Sequence, residues 1–147
     1  MADPLSSLGA AALIPGIIDI LSRSIYVANE VRNQWKDANL SVVGLCSQLQ
    51  ILRGALIEVK IWAESVGAKE IHHPQLVMEL DSVLSCCRPL ASRIDSKLQS
   101  LHRGVDGRLS KLAKVKLVLD GRNIDDIQKM IDRQINSLML LMTASQR

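Results

Sequence analysis

Between Val42 and Val66 the apolar residues fall at Val42, Leu45, Leu49, Leu52, Leu56, Val59, Ala63 and Val66. The steps alternate three and four, which is the seam of a heptad helix. A helix with one apolar stripe is not stable alone in water, so this one requires partners. The chain supplies them. Val77, Leu80, Leu84, Cys87, Ala91, Ile94, Leu98 and Leu101 form a second seam and predict a helix over residues 74–102. Ile17 and Ile18, then Leu21, Ile25, Ala28, Val31 and Trp35, give a stripe within a first helical region over 4–35. Ile124, Ile127, Ile131, Ile135, Leu138 and Met142 give a last one, apolar all round from Leu138 to Met142.

Capping and breaking residues set the expected boundaries. Asp3 followed by Pro4 suits a helix start, because proline at the first helical position loses no bond. Ser41 is placed to cap the second helix and Gly67 to end it. Asn123 is placed to cap the last helix, with Asp125 and Asp126 in its first turn, where negative charge suits the helix dipole. Pro15 is expected to kink or split the first helix, and Pro89 to bend the third near residues 85–89. Gly44 and Gly54 inside the second helix each cost about 1 kcal/mol against alanine. Close approach of a neighbouring helix would justify that cost. Two matched seams joined by a short turn suggest that the second and third helices form an antiparallel hairpin. A shorter basic helix is expected over 108–119, with Leu109, Leu112, Val115 and Leu119 on one side.

Composition agrees with helix-on-helix packing. Of 147 residues, 48% are apolar but only 2% aromatic, so the core has to be aliphatic. A chain of this length makes one domain with a real core. The net charge of +3 hides a local polarity. Residues 97–122 hold seven basic and two acidic side chains, net +5, and the remainder carries −2. Three cysteines, Cys46, Cys86 and Cys87, without spaced pairs argue against a disulfide framework and for a reducing compartment. No basic residue precedes Arg23, and Ala2 stands where myristoylation needs glycine, so neither a clean secretory leader nor that lipid is expected.

The sequence holds no phosphate-binding loop, zincin motif or nucleophile elbow. The adjacent His72 and His73 lack a third ligand, and Cys86 and Cys87 read as inert packed thiols. His102 reads as a solvated helix end. The chain is therefore expected to be no enzyme and to use no cofactor, metal or small-molecule substrate. Two segments keep competing readings. The basic stretch, with Arg108, Lys111, Lys114 and Lys116 at its centre, is a solvated face or a patch for anionic lipid. Nucleic acid is not expected there, because no aromatic residue interleaves the charges. The apolar run over 5–21 is either the first core helix or an element that leaves the bundle for a bilayer. It is 17 residues long and holds Pro15 and Asp19, which is short and flawed for a membrane span. Its Ala12 and Gly16 form a small-x-x-x-small pair of the kind that lets membrane helices touch.

The opening Met1-Ala2-Asp3-Pro4-Leu5-Ser6 with the Gly/Ala-rich helix after it resembles the N-terminal domain of fungal STAND (NLR-like) proteins, the HeLo-like group and its relatives. The closing stretch resembles that family's last helices. It runs from Arg108 through Lys116 to Asn123-Ile124-Asp125-Asp126-Ile127, then to Gln134-Ile135-Asn136-Ser137-Leu138-Met139-Leu140-Leu141. The resemblance spans nearly the whole chain. It implies a helical bundle ahead of an NTPase or ankyrin-type region, acting as a cell-death or incompatibility effector that oligomerises and perturbs membranes with its N-terminal helix. By position that helix carries Leu5, Leu8, Leu13, Ile14, Ile17, Ile18 and Leu21. This sequence stops at Arg147, before any such region.

The expectation is thus an all-α fold, an antiparallel bundle of four main helices plus a short basic one. It would be cytoplasmic, joining a membrane on activation. Its partners would be a second copy, another helical domain or an anionic membrane. The alternative is a soluble oligomerisation or adaptor module with no membrane activity.

Overall fold

The computed structural model describes residues 4–34, 40–66, 74–103 and 121–145, and each stretch is a single helix. They are α1 (Pro4–Gln34), α2 (Leu40–Val66), α3 (Pro74–Arg103) and α4 (Gly121–Ser145). No strand occurs among the described residues. Side chains are described over 12–30, 32–33, 43–64, 78–99 and 124–144. The expected short helix over 108–119, the Asp3 cap and the histidines at 72, 73 and 102 lie outside these.

The seams point inward. Leu45, Leu49, Leu52, Leu56 and Val59 of α2 are buried together with Leu80, Leu84, Cys87, Ala91, Ile94 and Leu98 of α3. Ile14, Ile17, Leu21, Ile25 and Ala28 of α1 and Ile124, Ile127, Ile131 and Leu138 of α4 complete the same core. No aromatic side chain is among its buried members, and Trp62 packs against its edge. At about 1.5–3 kcal/mol for each fully buried aliphatic side chain, this one cluster is the main favourable term holding the helices together.

The neighbours differ from the expected hairpin. α1 packs on α2 and α3, α4 packs on α2 and α3, and the diagonal pairs barely touch. α2 and α3 therefore sit at opposite corners although they are consecutive. A heptad seam points a helix at the bundle axis, and two matched seams imply a shared core without implying adjacency. The flanks select the neighbours. Gln48 of α2 donates to Asp132 Oδ1 of α4 at 2.8 Å and to the Gln128 carbonyl at 3.4 Å. Ser24 Oγ of α1 lies 3.3 Å from Asp95 Oδ1 of α3, and Arg23 pairs with the same carboxylate at 3.7 Å.

These contacts also give direction. Gly44 and Gln48 meet Gln128 and Asp132, while Ala55 and Glu58 share a cleft with Leu138, Met139 and Met142. α2 and α4 thus run parallel. Leu13 faces Ser85, Arg88 and Pro89, while Ser24 faces Asp95, so α1 and α3 run parallel too. The five residues between α1 and α2 span at most ~18 Å, too few to return along a helix of ~46 Å, so α1 and α2 are antiparallel. Consecutive helices alternate in direction, with two side-by-side parallel pairs.

Two helix starts differ from expectation, and Pro15 does not split its helix. Pro15 and Pro89 both lie inside continuous helices. Both prolines are exposed, so the carbonyls four residues earlier lose a donor on the water side, where the loss is cheap. Ser41 is inside α2, which starts at Leu40, and α4 starts at Gly121, which puts Asn123 inside its first turn. Helix propagation backed by core packing outweighs the cap preference at both ends.

Candidate interaction surface

The two α2 glycines have different surroundings. A Cβ on Gly44 would lie 3.0 Å from Gln128 Nε2 of α4, so a close neighbour accounts for that glycine. A Cβ on Gly54 would meet nothing within 4 Å. Nothing inside the described bundle accounts for this second interruption. At protein concentrations of a few micromolar, Gly54→Ala is expected to stabilise the fold by about 0.5–1 kcal/mol, read as a higher thermal midpoint. A lower midpoint would mean that the glycine is needed by the monomer.

Around Gly54 the outward face of α2 carries four exposed apolar side chains among polar ones such as Ser47, Gln50 and Glu58. Val43, Ile51, Ile57 and Ile61 are 38%, 53%, 39% and 54% exposed. Val43, Ser47, Gln50, Gly54, Ile57 and Ile61 follow steps of four and three, a second heptad register on the solvent side. The inner seam hides this pattern in the sequence, because α2 is apolar around most of its circumference. The signal was present in three isoleucines that do not fit the inner register. Beside this face, Ala55, Glu58, Leu138, Met139, Met142 and Thr143 line a shallow cleft of 260 Å³ between α2 and α4. Arg53 flanks the face and donates to Ser22 of α1 at 3.4 Å. Glu58 is exposed on the other flank.

The residues expected to enter a membrane are placed differently. Ile14, Ile17 and Leu21 are in the core, and Leu13 and Ile18 pack against it. Leu5 and Leu8 lie on α1, with side chains outside the described set. The outward face of this part of α1 holds Ala12, Pro15, Gly16 and Asp19, and a Cβ on Gly16 would meet nothing within 4 Å. No helix of the described residues is long and apolar enough to cross a membrane. Arg108, Lys111, Lys114 and Lys116 lie outside the described residues.

The cysteines separate by burial. Cys46 and Cys87 are buried and Cys86 is exposed. Burial, with a smaller contribution from Cys86, pushes the Cys87 thiol up to about 12, and burial also raises Cys46. A maleimide at pH 8 is therefore expected to modify Cys86 alone in the folded protein, and all three thiols after denaturation. Two fast thiols in the folded state would contradict this packing. No group of three or more His, Cys, Asp or Glu residues that could hold a metal occurs among the described residues. Comparison of the chain with protein-family models, curated proteins and solved structures returned no match.

Proposed function

We propose that this chain is a non-enzymatic helical signalling module whose output is association, either with itself or with another helical domain. The observation that carries the reading is the exposed apolar face of α2 on a bundle whose core is already filled. The resemblance to fungal STAND N-terminal domains supports placing the module in a cell-death or incompatibility pathway. Light scattering during size-exclusion chromatography tests the association. The reading expects a mass that rises above 16.2 kDa as loading increases. A constant mass, with no partner helix able to displace an exposed-face probe at Ile61, would reject it.

A second reading is membrane engagement through residues 5–21, favoured by the open Ala12 and Gly16 face. It requires Ile14, Ile17 and Leu21 to leave the core, so it describes an activated state and not the closed bundle. It expects dye release from anionic vesicles that weakens as salt rises. Absence of release at every salt concentration would reject it.

A further inference from the structure

The association reading above leaves open which surface pairs, and in what direction. We propose that the partner is a second copy of this chain, joined through the outer face of α2 as a parallel, in-register helix pair centred on Gly54. Two observations support this arrangement, and a third sets its strength.

The first is the outer heptad itself. With Ser47, Gly54 and Ile61 at one seam position and Val43, Gln50 and Ile57 at the other, a parallel pair stacks like on like. Gly54 meets Gly54 of the second copy and lets the backbones approach, which supplies the close neighbour that the monomer lacks. Ile57 and Ile61 each meet their own copy. Gln50 meets Gln50, an amide pair that hydrogen-bonds only in register, as single polar seam residues do in parallel coiled coils.

The second is charge. In a parallel pair, the flanking position before one seam residue faces the flanking position five residues on in the other helix. Arg53 and Glu58 stand at that spacing, so two Arg53–Glu58 pairs bracket the Gly54 layer once Arg53 gives up its long 3.4 Å contact with Ser22 of α1. In an antiparallel pair the same flanks face each other. Glu58 then lies on the side of the other Glu58, and Arg53 and Lys60 lie together on the opposite side. Like-charge juxtaposition disfavours that arrangement.

The third is area. The seam from Val43 to Ile61 is ~27 Å long, and a helix is ~10–12 Å across, giving a footprint of roughly 300 Å² per chain. Stable dimers bury about 800 Å² per partner. The footprint is well under half of that, so the pair is a weak, concentration-dependent dimer. Glu64 would meet Glu64 at the next seam position and ends the contact there.

Cross-linking of substituted chains tests the geometry. Gln50→Cys and Ile61→Cys are made separately on a Cys86→Ser background, which leaves only buried native thiols. At ~200 µM under mild oxidation, each chain is expected to cross-link to itself at least fivefold faster than the two cross-link to each other when mixed. A dominant link between position 50 and position 61 would overturn the parallel register. Ile57→Asp is expected to weaken dimerisation at least tenfold by sedimentation equilibrium, with unchanged helix content by circular dichroism. If the parent dimerises and Ile57→Asp dimerises equally, the α2 seam is wrong while self-association stands. If the parent stays at 16.2 kDa up to 1 mM, the dimer is excluded, and only docking of a different helical partner survives from the association reading.

Discussion

Ile17→Asp is expected to unfold the bundle. Ile17 is 1% exposed and belongs to the single aliphatic core. Removing the branched side chain alone costs about 2–5 kcal/mol. The new carboxylate would be buried in this hydrophobic cluster, adding several kcal/mol unless it takes up a proton. Single domains hold about 5–15 kcal/mol in total, so little remains. Circular dichroism should show most of the helical signal lost, or a thermal midpoint lowered by well over 10 °C. A native-like melt would mean that α1 does not contribute Ile17 to the core. The same argument shows why this substitution is a poor probe of membrane activity. Lost vesicle leakage would follow from lost folding, whereas substitutions at Ala12 or Gly16 leave the core intact.

Leu52→Ala and Ile51→Ala form the second test. The two residues are adjacent on α2 but face opposite ways, with Leu52 fully buried and Ile51 half exposed. Leu52→Ala is expected to cost about 2–5 kcal/mol by chemical denaturation, because it removes buried methyl groups and leaves a cavity. Ile51→Ala is expected to fall within about 0.5–1 kcal/mol of the parent at low protein concentration. Equal losses at both positions would mean that the register of α2 is wrong, and with it both the inner seam and the outer face.

Periodicity made most of the fold legible. The seam residues of α2 and α3 whose side chains are described are buried, apart from the partly buried Ala63, because steps of three and four admit one helix face and no strand. Adjacency was not legible. A seam says that a helix faces the centre, while the choice of neighbour rests on polar contacts such as Gln48 with Asp132 and Ser24 with Asp95, 84 and 71 residues apart. Proline positions were legible, but α1 continues through Pro15 because that proline faces water. The glycine argument was half legible. The sequence flagged both Gly44 and Gly54, and only the fold separates the one with a neighbour from the one without. The outer face of α2 was not legible, because its isoleucines are overlain in the sequence by the stronger inner register.

On this account α2 has two working faces, one spent on the core and one that pairs with a second copy of the chain. Isoleucine methyl groups report both faces in a single NMR spectrum followed from 20 µM to 1 mM protein. The account predicts that the Ile57 and Ile61 methyl signals shift with concentration, Ile51 less so, while Ile14, Ile17 and Ile131 hold still. Stationary signals at Ile57 and Ile61 while other isoleucines move would contradict it, as would a spectrum unchanged across the whole range.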